Sequence, residues 1–182
     1  AFATASVTVN PIPFAGNDAT LEVCSNSGIV DLYFVLGGTP DANGTWSPAL
    51  ASGTSEFDPA VDAAGTYTYT VIGDAPCGSD SSTLVITVIQ APNAGTDGTA
   101  NFCADSAPAD LFTFLGGTPQ TGGTWSPALA SGTGVFDPAI DTAGSYTYTV
   151  TGTAPCADAT ASATVIVNPI PNAGTDGTIT LC

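Results

Sequence analysis

From Gly65 to Val71 the chain alternates: Tyr67, Tyr69 and Val71 are interleaved with Thr66, Thr68 and Thr70. A period of two, with one aromatic and one hydroxyl face, predicts a half-buried strand whose tyrosines point inward. The pattern returns at Tyr146, Tyr148 and Val150, interleaved with Ser145, Thr147 and Thr149. Leu84, Ile86 and Val88 form the apolar side of a second strand, and Ala163, Val165 and Val167 form that of its later counterpart. Short apolar runs between clusters of Gly, Pro, Asn and Asp predict strands near Leu21–Cys24, Leu32–Leu36, Gly44–Trp46, Glu56–Phe57, Gly65–Ile72 and Thr83–Ile89. No segment carries apolar residues at helical spacing, so helix is nearly excluded.

These matches obey one register of 79 residues, which carries Cys24 onto Cys103, Trp46 onto Trp125, Phe57 onto Phe136, Tyr67 onto Tyr146 and Cys77 onto Cys156 without a gap. A repeat of this length is one small domain. The expected organisation is therefore 1–12 as the last strand of a preceding repeat, with Ala5, Val7 and Val9 on its apolar side. Complete repeats follow over 13–91 and 92–170, and 171–182 opens another. Proline-rich joints, such as Pro11-Ile12-Pro13, stiffen the links. Successive domains should form a semi-rigid rod, each adding roughly 35–45 Å.

Composition narrows the function. The chain has no Lys, Arg, His or Met and sixteen acidic residues, for a net charge of −16. Without cations it cannot neutralise phosphates, so nucleic acid and anionic membranes are improbable partners. No apolar run reaches the ~20 residues of a membrane span. A Ser or Cys nucleophile would lack its usual His or Lys base, which argues against an enzyme. Two-carboxylate glycosidase chemistry stays formally available.

Five cysteines at a repeating position suggest an oxidising, extracellular setting. The interval from Cys24 to Cys77 equals that from Cys103 to Cys156, which favours one bridge inside each repeat. Pairing between successive repeats is the alternative, and Cys182 would bond a residue outside this sequence. Four acids recur: Asp18 with Asp97 and Asp176, Asp31 with Asp110, Asp58 with Asp137, and Asp62 with Asp141. Turn chemistry is the first reading of these. The second is Ca²⁺ at the joints, with Asp18, Asp97 and Asp176 as ligands, and it is the only cofactor the sequence suggests. Unshared acids such as Asp41, Asp74 and Asp80 read as solvated surface charge.

Asp62-x-x-Gly-x-Tyr67 resembles the tyrosine corner of immunoglobulin-like sandwiches, with Tyr69 and Tyr148 standing where antibody domains place a cysteine. The expected fold is therefore all-β: tandem immunoglobulin-like antiparallel β-sandwiches arranged as a rod. Trp46, Tyr67 and Phe57 would fill one core, and Trp125, Tyr146 and Phe136 the other. A sugar-stacking role is the functional alternative for the two tryptophans.

The units Asn93-Ala94-Gly95-Thr96-Asp97-Gly98-Thr99, Leu-Gly-Gly-Thr-Pro, Gly-Thr-Trp-Ser-Pro-Ala-Leu-Ala-Ser-Gly-Thr, Phe-Asp-Pro-Ala and Tyr-Thr-Tyr-Thr-Val are similar to the tandem Ig-like repeats of giant surface proteins of gliding Bacteroidota. The resemblance covers essentially the whole chain. It implies a repeat segment of a large extracellular, outer-membrane-associated adhesin or filament, exported by type IX secretion and serving as a stalk in cell adhesion or gliding motility. Its partners would be neighbouring repeats of the same chain and an unknown surface or glycan ligand. The alternatives are a purely structural spacer or surface-layer component, and a carbohydrate-binding module.

Overall fold

The computed structural model describes residues 2–182, which fold as two compact units. One comprises Ala1–Ala91 with Thr153–Ala157, the other Pro92–Gly152 with Asp158–Cys182. The first contains β1 (Ala19–Cys24), β2 (Val30–Asp31), β3 (Thr45–Ser47), β4 (Glu56–Phe57), β5 (Gly65–Ile72) and β6 (Ser79–Ile89). The second contains β7 (Gly98–Cys103), β8 (Ala109–Asp110), β9 (Thr124–Ser126), β10 (Val135–Phe136), β11 (Gly144–Val150) and β12 (Ala159–Asn168).

Each unit is an all-β, immunoglobulin-like sandwich. In the first, a sheet of order β1-β6-β5-β3 faces the β2-β4 pair; in the second, β7-β12-β11-β9 faces β10-β8. The sheets are not wholly antiparallel, because β1 runs parallel to β6 from Ala19 opposite Leu84 to Cys24 opposite Ile89. Strands so far apart in sequence can pair parallel because the rest of the unit supplies the long crossover such a pair requires.

The alternation read in the sequence sets the cores. Tyr67, Tyr69 and Val71 of β5 and Leu84 and Ile86 of β6 are buried against Phe57, Leu32 and Val23. Tyr146, Tyr148, Val150, Ala163 and Val165 do the same around Phe136 and Leu111. Phe57 and Phe136 are completely enclosed. Phe136 meets Tyr146 edge-on at 5.8 Å, as Phe57 meets Tyr67 at 6.0 Å.

Three expectations need correction. Leu32–Leu36 is not a strand: Leu32–Phe34 forms a 3-10 turn capped by Asp31, whose carboxylate accepts the Tyr33 amide at 3.0 Å. Leu32 and Leu36 both point inward, a spacing of four, while Phe34 is exposed. Trp46 and Trp125 do not fill the centres: each is only half-buried, on the short strands β3 and β9. Finally, residue 1 of the strand expected over 1–12 lies outside the described residues, and residues 2–12 form no strand, with Val7 and Val9 exposed. A strand needs partners to satisfy its backbone. β6 has β5 and β1 on its flanks, whereas this segment has neither kind of neighbour.

Candidate functional site

The tyrosine corner forms in both units. The Tyr67 hydroxyl donates to the Ala63 carbonyl at 2.8 Å, and that of Tyr146 to Thr142 at 2.7 Å. Burial, with a smaller contribution from the nearby Asp62 and Asp141 charges, holds both phenols above their ordinary pKa. Next along each strand, Tyr69 donates to Asp41 O and accepts the Gly44 amide, and Tyr148 does the same with Gln120 and Gly123. A Cβ on Gly44 would overlap the Tyr69 ring, so the close approach requires glycine there. Trp46 and Trp125 lie 5.0 Å from the rings of Tyr69 and Tyr148, the tyrosines that stand in place of the antibody-type cysteine.

The recurrent acids work on the backbone. Asp62 accepts the amides of Ala51 and Asp58 at 2.8 and 2.9 Å, and Asp141 accepts those of Ala130 and Asp137, both at 2.8 Å. Each carboxylate thereby ties two loops at the foot of the tyrosine strand. Charge-assisted bonds of this kind are worth roughly 1.5–3 kcal/mol each when buried and less when water reaches them. Asp62→Ala is expected to destabilise its unit by about 1–3 kcal/mol in urea melts, with Asp62→Asn costing less because one acceptor remains. Equal melts for wild type and Asp62→Ala would contradict this account.

Asp18 accepts the Thr83 amide and Asp97 the Ser162 amide, both at 2.7 Å. The Thr83 backbone amide, assisted by its side chain, lowers the pKa of Asp18 from the ordinary value. Asp176 is exposed. Among the described residues no group of three or more His, Cys, Asp or Glu side chains could hold a metal ion.

Asp41 and Asp80 are not idle surface charge. Asp41 accepts the Phe14 amide at 2.9 Å while its own amide donates to Phe14 O, and Asp80 accepts the Ala15 amide at 2.8 Å. In the second unit Gln120 makes the same two-way clamp on Asn93. The Asp-to-Gln exchange keeps an acceptor, and that chemical constancy was the available signal.

Beside each tryptophan lies an open cleft. In the first unit it has a volume of about 560 Å³ and is lined by Asp31, Tyr33, Asn43, Trp46, Ser55 and Tyr69. The indole nitrogen of Trp46 is buried, away from solvent, without a hydrogen-bond partner. The cleft of the second unit is smaller, about 410 Å³, with Phe112, Gly122 and Gly134 in place of Tyr33, Asn43 and Ser55.

The disulfide joins Cys24 to Cys156, with Cα atoms 5.0 Å apart, while Cys77, Cys103 and Cys182 are free. This corrects the expected Cys24–Cys77 and Cys103–Cys156 bridges. The reason lies in the placement of Thr153–Ala157, which belongs with the first unit and brings Cys156 to the end of β1.

Neither a family model nor a curated protein matches the chain. Among solved structures it is similar to a three-Ig-domain fragment of titin in a Glu-to-Ala variant, at 16% identity and a TM-score of 0.45, covering 85% of this chain and 65% of that one. It is also similar to the N-terminal four Ig domains of Dscam1 isoform 4.4, at 18% identity and a TM-score of 0.34, covering 89% and 47%. Extracellular domains 3–5 of Drosophila OTK match at 17% identity and a TM-score of 0.30, covering 92% and 68%. No helix among the described residues is long and apolar enough to cross a membrane.

Proposed function

We propose that the chain is a non-catalytic repeat segment of a large extracellular surface protein and serves there as a stalk, in adhesion or gliding motility of the kind the repeat phrases imply. The observation that carries this reading is the duplicated bracing of the backbone. Asp62 and Asp141, Asp18 and Asp97, and Tyr67 and Tyr146 make the same bonds in both units, so the side chains that recur are spent on holding loops and strands. A disulfide supports an oxidising location. Antibodies raised against the chain should label intact source cells at a distance from the outer membrane, and protease added outside should remove the label. Label that appears only after lysis would overturn the reading.

The cleft beside Trp46 favours a second reading, a carbohydrate-binding module, because the partly exposed aromatic ring of Trp46 on its wall suits a sugar ring. Against it, the second unit has lost the polar lining supplied by Asn43 and Ser55. On a glycan array the stalk reading expects no binding above background. Binding that Trp46→Ala abolishes would establish the module instead.

A further inference from the structure

Cys24 and Cys156 are bonded, and the register of 79 residues makes Cys103 the copy of Cys24 and Cys77 the copy of Cys156. The surroundings are copied as well. Cys156 Sγ lies 3.4 Å from the Ile89 carbonyl oxygen, and Cys77 Sγ lies 3.7 Å from that of Asn10, the residue 79 positions before Ile89. On the other side, Ser25 donates its amide to Ile89 O at 2.8 Å, and Ala104 donates to Asn168 O at 2.9 Å. Cys77 thus sits on the carbonyl, and Cys103 beside the amide, that frames its bonded counterpart.

We infer that Cys77 and Cys103 are the two open halves of this same bridge, made to bond other copies of the repeat in one polypeptide. The first-strand cysteine of each repeat bonds the loop cysteine of the next. Cys103 takes a Cys77-type partner from a following repeat, and Cys77 takes a Cys103-type partner from a preceding one. The inference needs the repeat register and the observed bond, and it does not depend on the stalk role.

The chemistry is thiol–disulfide exchange with a low-molecular-weight disulfide as oxidant. The Cys103 thiolate attacks it, forming a mixed disulfide and releasing one thiol. The partner thiolate then attacks the Cys103 sulfur, forming the protein bridge and releasing the second thiol. Two protein thiols are oxidised and one small disulfide is reduced.

The test lengthens the full chain by inserting a second copy of residues 13–170 after residue 170, which preserves the register. After oxidation in a glutathione buffer and alkylation of free thiols, peptide mapping should find Cys24–Cys156 in both copies and a new bridge from Cys103 of the first copy to Cys77 of the second. That new bridge has the same separation of 132 residues as the observed one. Cys103→Ser in the first copy should free only that Cys77. Alkylation of both cysteines, or a Cys24–Cys77 bond within the second copy, would overturn the inference.

Discussion

Pulled by its two ends, the reduced chain will extend about 440–480 Å further than the oxidised chain, since the 132-residue separation between Cys24 and Cys156 is released at about 3.3–3.6 Å per residue. In the oxidised chain, tension crosses from Cys24 to Cys156 through the sulfur atoms. The strands from β2 to β11 then lie inside a closed loop and cannot be drawn out, even after β12 is stripped from its sheet. Two bridges inside the repeats would hide only about 106 residues, or about 350–380 Å. Single-molecule force spectroscopy with and without a phosphine reductant separates the two values. On the chain-entropy model, closing a loop of this size also stabilises the folded state by about 5 kcal/mol, so reduction should lower the melting temperature.

The misread bridge shows where a repeated sequence stops being informative. In a strict 79-residue register, bonding the loop cysteine of the same repeat and bonding that of the next produce the same periodic pattern. Only the placement of Thr153–Ala157 distinguishes them, and that is tertiary. Alternation did locate β5, β6, β11 and β12, because each has one face in the core and one in water. The run Leu32–Leu36 is apolar on every side, so its period could not be read, and Asp31 decided for a turn. The half-buried tryptophans follow from β3 and β9 being three-residue strands at the edge of their sheets, where a large ring stays partly in water. The tyrosine corner was legible because its bond closes within four residues.

Alkali should unfold the chain in step with tyrosine ionisation. All five tyrosine hydroxyls donate to a backbone carbonyl: Tyr33 to Pro40, Tyr67 to Ala63, Tyr69 to Asp41, Tyr146 to Thr142 and Tyr148 to Gln120. A phenolate can no longer donate, and at Tyr67, Tyr69 and Tyr146 it places a charge beside a carbonyl where burial disfavours it. Burial first, with nearby Asp62 or Asp141 adding to it, raises the pKa of Tyr67 and Tyr146, and burial likewise raises that of Tyr69. In the unfolded chain these phenols ionise near pH 10. Their contribution is therefore fully present below about pH 10 and is lost as pH rises through the folded values, because the unfolded state releases its protons first. With no Lys, Arg or His in the sequence, no cationic side chain titrates in that window. Tyr67→Phe should cost about 0.5–1.5 kcal/mol at neutral pH and weaken the alkaline dependence of its unit. Tyrosinate absorbance and circular dichroism followed together should change in one cooperative step above about pH 10. Tyr67, Tyr69 and Tyr146 titrating independently near pH 10, with the β spectrum intact, would refute the coupling.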